Sequence, residues 1–244
     1  MAFIRKLLQY PGGRWRYIIW FVSLFLLPYT MFKIRRLDRH YSLDKLADFA
    51  FTTCFGLIEP AQVRYEILEL LKILNEVKPK IILEIGTLEG GSLFLFTRIA
   101  SRDAIIISVD LPPAPFLFKL RTPLYKTFTS KDQQLHLIRK DSHDKATLEK
   151  VKVILNNRKI DVLFVDGDHT YEGVKKDFEM YTPLVRQNGI VALHDILPQP
   201  SCEVNRFWDE IKSQYEHVEI IEDRKQNEAG IGLIKRLKNL KTIG

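Results

Sequence analysis

The chain has 244 residues, of which 46% are hydrophobic and 27% are charged, and this suits one α/β domain with an appendage. Its net charge of +7 comes from residues 1–40, which contain eight basic residues and one acid, whereas residues 41–244 are neutral. A neutral body excludes a general polyanion-binding surface, so we expect no nucleic-acid partner. The two cysteines, Cys54 and Cys202, are too few for a disulfide scaffold and match no zinc motif, which favours a cytoplasmic protein.

Residues 17–32 form an uncharged run rich in aromatic residues, with basic residues on both sides. As a helix this run spans about 24 Å, against about 30 Å for a bilayer core, and Pro28 is expected to kink or end it. The pattern favours an arm, residues 1–40, that lies on anionic lipid at the cytoplasmic face of a membrane. A short spanning helix, or an arm docked on the domain or on a second subunit, are the alternatives.

The next segment, residues 41–79, is predicted to be a helical extension, whose second helix starts at Pro60 and ends at Pro79. From residue 80 onward, apolar strands alternate with helices. Strands are predicted at 80–85, 104–109, 135–138, 160–165, 189–193, 217–222 and 230–234, and helices at 93–100, 145–156, 173–186 and 202–215. Residues 112–130 combine proline with Phe and Leu but lack periodicity, which indicates a lid or substrate loop.

This alternation predicts an α/β fold with a Rossmann-like, doubly wound and mostly parallel seven-stranded sheet behind an N-terminal helical extension. The binding domain then covers residues 80–236, and a basic tail follows at 237–244.

The predicted strands end in acids or histidine, namely Glu84, Asp110, Asp166, and the pair His194 and Asp195. In open α/β sheets, ligands bind beyond the carboxyl ends of the strands. Burying acids and histidine at that edge costs desolvation free energy, and a sheet with only a structural role gains nothing from it. The row therefore predicts a binding site along this edge.

The first turn, residues 84–92 (EIGTLEGGS), lacks the G-x-G-x-x-G pattern of dinucleotide-binding proteins. Its acid, Glu84, would lie unfavourably close to a pyrophosphate. A cationic ligand without phosphate fits better, and S-adenosylmethionine (SAM) carries a sulfonium and an ammonium. Asp110, at the end of the second strand, is expected to accept both ribose hydroxyls.

These motifs resemble those of class I SAM-dependent methyltransferases. ILEIGTLEGGS at 82–92 is similar to their first motif, and SVD at 108–110 to their second. FVDGDHTYEGVKKD at 164–177, followed by ALHD at 192–195, resembles a narrower group with a D-G-x-H motif. That group includes macrocin-type sugar O-methyltransferases and cephalosporin-hydroxylase-like proteins.

The strand-end positions and the resemblance together assign SAM to Glu84, Gly86, Thr87, Gly90, Ser92, Asp110, Asp141, Ser142 and Asp166. The resemblance also implies a divalent metal, with Asp166 and Asp195 as ligands, and His169 as the general base. His194 replaces the family's glutamate, and imidazole suits zinc, iron or manganese better than magnesium. His194 therefore ligates such a metal, acts through water, or binds none.

Several of these residues could have a purely structural role instead. Asp141 and Ser142 can cap the following helix instead of contacting adenine, and Asp168 can cap the next one. His169 can be a structural histidine.

The sequence therefore predicts a metal-assisted SAM-dependent O-methyltransferase acting on a hydroxyl of a sugar or natural-product-like acceptor. Its partners are that small-molecule or glycan acceptor, a membrane surface contacted through residues 1–40, and a second copy of the chain. A non-catalytic SAM- or nucleotide-binding module of a membrane-associated glycan-assembly complex is one alternative. An NAD-dependent oxidoreductase is the other, and the first turn argues against it.

Overall fold

A computed structural model describes residues 14–37, 41–111 and 115–235. The predicted basic tail and the first 13 residues of the arm lie outside the described residues. The helices are α1 (Arg14–Arg35), α2 (Leu43–Thr52), α3 (Arg64–Val77), α4 (Gly91–Ile99), α5 (Pro115–Tyr125), α6 (Lys145–Leu155), α7 (Tyr171–Tyr181) and α8 (Val204–Ile211). The strands are β1 (Ile81–Ile85), β2 (Ile105–Asp110), β3 (Gln134–Arg139), β4 (Ile160–Val165), β5 (Val185–His194), β6 (His217–Ile220) and β7 (Ile231–Lys235).

The strands form one seven-stranded sheet in the order β3-β2-β1-β4-β5-β7-β6. The pairs among β1 to β5 are parallel, and β7 runs antiparallel to both β5 and β6. This confirms the predicted mostly parallel sheet. The order also places the carboxyl ends of β2, β1, β4 and β5 side by side.

Alternate residues of each central strand enter two different cores, because successive side chains point to opposite faces of a sheet. On β1, Ile82 packs with residues of α2, α3 and α4, whereas Leu83 packs with residues of α6, α7 and α8. All five residues of β1 are buried, which explains its continuous apolar run. Residues 41–79 thus contribute directly to one of the two cores.

Several helix boundaries differ from prediction, and two of the larger differences lie after Pro60 and at the end of the helix predicted at 173–186. The helix predicted to start at Pro60 begins at Arg64, because Val63 before it is extended. The backbone of residues 58–60 crosses the start of α4 so closely that a Cβ on Gly91 would lie 2.4 Å from Pro60 N. The helix predicted at 173–186 ends at Tyr181, and a 3-10 turn at Thr182–Leu184 leads directly into β5.

The prediction of a loop across residues 112–130 is wrong from Pro115 to Tyr125, where α5 forms and continues through Pro123, whereas residues 126–130 contain no helix or strand. Leu124, Tyr125 and Phe128 are almost fully buried, and the Phe128 ring lies edge-on to Phe94 at 5.4 Å. This aromatic packing anchors the segment and offsets the backbone hydrogen bond that a proline removes. The segment therefore forms a fixed wall beside the β1–α4 turn.

The helix α1 also continues through Pro28, where an end or a kink was expected. One side of it is buried on the domain through Leu27, Thr30 and Ile34, and Arg98 donates to the Ile34 carbonyl. These contacts help to hold the helix across the proline. Within the described parts of the chain, no helix has the length and apolar character needed to span a bilayer.

Candidate active site

The β1–α4 turn encloses the carboxylate of Glu84. That side chain is fully buried, and it accepts hydrogen bonds from Thr87 Oγ1 at 2.8 Å and Ser92 Oγ at 2.6 Å. Burial raises the pKa of Glu84 to about 8, although the two hydroxyl hydrogen bonds oppose this. The unliganded Glu84 is therefore largely protonated at neutral pH, and Thr87 and Ser92 hold its carboxyl group at the end of β1.

Two glycines of this turn have backbone conformations that favour glycine. Gly86 has φ +86°, and a Cβ there would lie 1.9 Å from the Asp166 carbonyl oxygen. Gly90 has φ +87°, and a Cβ there would lie 2.6 Å from the Tyr125 ring. The turn passes so close to the ends of β4 and α5 that a side chain has no space.

Asp110 ends β2 and lies opposite Arg139, the last residue of β3. Burial raises the pKa of Asp110, and the Arg139 guanidinium opposes this rise. Arg139 Nη1 donates to the Ser108 hydroxyl at 2.9 Å, and that hydroxyl in turn bonds Thr87. A polar chain thus runs from Glu84 to the half-buried cation Arg139, which the sequence did not reveal because the strand was predicted to end at residue 138.

The loop after β3 is fixed by local bonds. Asp141 Oδ1 accepts from the His143 backbone N–H at 2.8 Å, and the Ser142 carbonyl accepts from the Tyr181 hydroxyl at 2.7 Å. The residue before α6 is Asp144, whose side chain makes no capping bond. Capping of α6 by Asp141 or Ser142 is therefore not observed, and their contact with adenine stays a prediction.

At the ends of β4 and β5 lies a second group, the carboxylate–imidazole cluster, formed by Asp166, His169, His194 and Asp195. Asp166 Oδ1 lies 3.0 Å from His194 Nδ1 and 3.6 Å from His169 Nε2. Asp195 Oδ2 lies 3.4 Å from His169 Nε2, and Asp195 Oδ1 lies 3.4 Å from His194 Nδ1. The structure thus brings together the predicted base and the predicted metal ligands.

The cluster favours charge separation. Burial alone would raise the pKa of Asp166, but His194 and His169 outweigh it and lower that pKa to about 2. Burial alone would lower the pKa of His194, but Asp166 and Asp195 raise it well above its usual value. Asp166 and Asp195 therefore favour the protonated form of His194 in the absence of a metal ion.

The positions of these charged groups show whether a metal ion fits here. Asp166, His194 and Asp195 each offer a ligand atom, and these atoms lie within 4.8 Å of one another. Within the described chain, the buried Nε2 of His194 has no hydrogen-bond partner. The two carboxylates fit a divalent cation, and His194 could ligate it once its ring has lost a proton.

His169 lies on the loop between β4 and α7 with 46% of its side chain exposed, so its ring is accessible from solvent. The Asp166 hydrogen bond raises the pKa of His169, while burial acts in the opposite direction. Thr170 caps α7 by accepting from the Gly173 N–H, and Asp168 accepts from the Thr170 N–H. Asp168 therefore stabilises the turn before α7, whereas the helix cap itself is Thr170.

Gln62 is a further residue of this site that the sequence did not reveal. This buried residue, in the turn before α3, donates from Nε2 to Asp166 Oδ2 at 2.6 Å. It lies 104 residues from its partner. No local pattern links the two residues. The only signal in the sequence was a polar residue two positions after Pro60, the residue at which a helix was predicted to start.

A family described as a methyltransferase domain matches residues 83–196. An uncharacterized protein of Acanthamoeba polyphaga mimivirus is 30% identical over 156 residues, which cover 62% of this chain and 69% of that protein. The chain belongs to the class I SAM-dependent methyltransferases. The matched range of this methyltransferase includes every site residue named from the sequence, from Glu84 to Asp195.

Two solved O-methyltransferases share the fold of this methyltransferase. TomG of Streptomyces achromogenes, involved in tomaymycin synthesis and solved with SAM, has a TM-score of 0.54 at 16% identity and covers 81% of this chain and 91% of its own. An enzyme of Bacillus cereus, solved with S-adenosylhomocysteine (SAH), has a TM-score of 0.52 at 15% identity and covers 80% of this chain and 90% of its own.

Proposed function

We propose that this methyltransferase moves the methyl group of SAM to a hydroxyl oxygen of a sugar or natural-product-like acceptor, assisted by a divalent cation. The supporting observation is the half-exposed His169 in contact with Asp166 and Asp195, next to the β1–α4 turn. Gly86 lies against the Asp166 backbone, so this base and the proposed SAM crevice are neighbours. The two solved relatives, both named O-methyltransferases, agree with this choice of acceptor atom.

In the proposed reaction, the acceptor oxygen attacks the sulfonium methyl carbon. The new C–O bond forms as the S–C bond breaks, the hydroxyl proton passes to the His169 imidazole, and the electron pair of the broken S–C bond stays on sulfur, which leaves as the neutral thioether SAH. The protein aligns the oxygen with the methyl group and removes the proton. Glu84 and Asp110 place negative charge around the cationic donor.

His169 must be neutral to accept that proton, whereas Asp166 and Asp195 favour its protonated form. A divalent cation held by these carboxylates would offset their charge and lower the pKa of the acceptor hydroxyl. Asp166, His194 and Asp195 are the residues that would hold it.

The test of the function uses the full chain with SAM, NAD and divalent ions in a thermal-stability screen. SAM at ~100 times its Kd should stabilise the fold by roughly 2.7 kcal/mol, and NAD should add nothing. Transfer of labelled methyl to sugars, extracted glycans and hydroxylated metabolites should then yield base-stable ethers. Label on carboxyl or amine groups would contradict a hydroxyl acceptor, and stabilisation by NAD alone would contradict a methyl donor.

We also propose that the exposed side of α1 lies on an anionic lipid surface. Phe25, Tyr29 and Phe32 are 73%, 55% and 48% exposed and follow helical spacing along one side. Lys33 lies over the Tyr29 ring, and Arg36 lies over the Phe32 ring at 4.4 Å. Aromatic rings beside basic groups suit a headgroup boundary, and the opposite side of α1 is already occupied by the domain.

Exchanging both Tyr29 and Phe32 for serine is expected to weaken binding to anionic vesicles by at least about tenfold, because each inserted ring contributes on the order of 1.5–3 kcal/mol. Vesicle co-sedimentation measures this. Val153→Ser, which alters a residue 77% exposed on α6, is the control and should leave binding unchanged. Equal binding of the wild type to neutral and anionic vesicles contradicts the proposal, as does self-association that depends on the same two rings.

A further inference from the structure

Gln62 connects the helical extension before β1 to the carboxylate–imidazole cluster. Its Nε2 donates to Asp166 Oδ2 at 2.6 Å. The other oxygen of this carboxylate, Oδ1, lies 3.0 Å from His194 Nδ1 and 3.6 Å from His169 Nε2. The Gln62 bond therefore opposes rotation of the carboxylate and keeps Oδ1 directed towards the two imidazole rings.

The backbone on both sides of Gln62 is fixed by close packing. Ile58 is fully buried, and its carbonyl crosses the start of α4 so closely that a Cβ on Gly91 would lie 2.6 Å from the oxygen. After Gln62, α3 is anchored in the core by Ile67 and Leu70, which are also fully buried. Because buried segments of this kind have little room to shift, the amide of Gln62 is held at a defined distance from the cluster.

A second buried glutamine shows how a purely structural amide is bonded. Gln133, which precedes β3, uses both ends of its amide: Nε2 donates to two backbone carbonyls, and Oε1 accepts from the Ser130 N–H. Gln62 is only 1% exposed, but within the described chain its Oε1 has no partner, and its one described bond goes to Asp166. A buried polar atom without a partner costs folding free energy. The contrast favours a role for Gln62 in the site over a role in stability.

We propose that Gln62 is a positioning residue that acts through Asp166, whose carboxylate it holds in the orientation that methyl transfer requires. The inference rests on the proposed function and adds a residue of the N-terminal extension to it. Loss of the Gln62 amide leaves the charge of Asp166 in place but frees the carboxylate to rotate. Since this carboxylate contacts the proposed base, His169, its misalignment slows the reaction.

Kinetics of Gln62→Met test this role, because methionine keeps the length of the side chain and removes its N–H donor. We expect kcat to fall by about 10–100-fold, while the Kd for SAM changes by less than about threefold. Gln62→Leu serves as a second variant, and unfolding midpoints check the fold of each protein.

Gln133→Met is the matched control, because it makes the same exchange at the opposite end of the sheet from the site. It breaks bonds at both ends of the amide, so it should lower the unfolding midpoint more than Gln62→Met does. Its kcat should stay within about threefold of the wild type. If Gln62→Met instead lowers the midpoint as much as the control and keeps the wild-type kcat, Gln62 is structural and the inference is overturned.

A double-mutant cycle with Asp166→Ala separates a role through Asp166 from an independent one. In that background, which has no carboxylate to orient, Gln62→Met should lower kcat/KM by less than about twofold. Losses that multiply overturn the inference. A fall in kcat/KM that is matched by an equal loss of SAM affinity overturns it as well, since Gln62 would then be a cofactor contact.

The side-chain amide signals of Gln62 in NMR spectra of the isotope-labelled full chain test the contact without any activity. These signals are assigned by their loss in Gln62→Met. They should shift in Asp166→Ala, whereas those of Gln133 should not, and unshifted Gln62 signals overturn the inference. If the signals shift but no acceptor is methylated, the positioning contact is supported and the proposed function fails. If methyl transfer is equally fast in the wild type and Gln62→Met, the function stands and the inference fails.

Discussion

Replacing Asp166 with asparagine is expected to lower kcat/KM for methyl transfer by about 10²–10⁴-fold while the protein remains folded. The substitution keeps the size of the side chain and removes its negative charge. That charge raises the pKa of His194 and contacts His169, and in the proposed mechanism it also holds the cation. Both the base and the cation therefore lose their shared partner.

Steady-state kinetics with labelled SAM, together with the Kd for SAM, separate the two roles assigned to Asp166. If it serves the chemistry, kcat/KM falls far more than the affinity for SAM. If both fall by the same factor, Asp166 is only a cofactor contact. Asp168→Asn is the matched control, because this exposed carboxylate two residues away bonds only the turn before α7 among the bonds described for it. Its kcat/KM should change by less than about threefold.

The positions of the acids along the sheet edge could be predicted because each apolar run ends where its strand ends. Parallel neighbours then bring Asp110, Glu84, Asp166 and Asp195 to one side, whatever the lengths of the connecting helices. The continuous apolar runs, and the residue at which each run ends, sufficed for this inference and for the sheet itself.

Residues that reach the site from other segments could not be predicted in this way. Gln62 contacts Asp166 across 104 residues of chain, and the proximity of Cys202 to Asp195 depends on how α8 begins. Arg139 was missed because the strand was predicted to end one residue too early, at residue 138. The cation opposite Asp110 was therefore not placed at the sheet edge. α5 was missed because its prolines mask a helix that tertiary aromatic packing stabilises.

The affinity for SAM is expected to rise with pH between pH 6 and 8, by up to about tenfold per unit, and to level off above pH 8. Unliganded Glu84 has a pKa of about 8 because it is buried, so it is protonated at pH 6. The cationic donor favours the carboxylate and lowers this pKa, so that binding releases a proton. Raising the pH towards 8 removes that proton in advance and strengthens binding.

Calorimetric titration in buffers of different ionisation enthalpy measures both the slope and the released proton. The amino group of SAM itself titrates near pH 8, so the slope must be compared with that of Glu84→Gln, which leaves this group unchanged. The difference between the two proteins is the contribution of Glu84. SAH, whose sulfur is uncharged, should show a smaller difference than SAM.

The stability of the unliganded protein should change with the opposite sign. Because the folded-state pKa of Glu84 lies above the ordinary value of 4.5, its protonated form stabilises the fold fully below pH 4.5, and this stabilisation is lost as the pH rises to about 8. The free energy of unfolding should therefore fall across that window by a few kcal/mol, on the order of 1.4 kcal/mol per unit at most. In Glu84→Gln this fall should disappear. If denaturant titrations give the same slope for both proteins, Glu84 is ionised throughout, and the pH dependence of SAM binding must arise elsewhere.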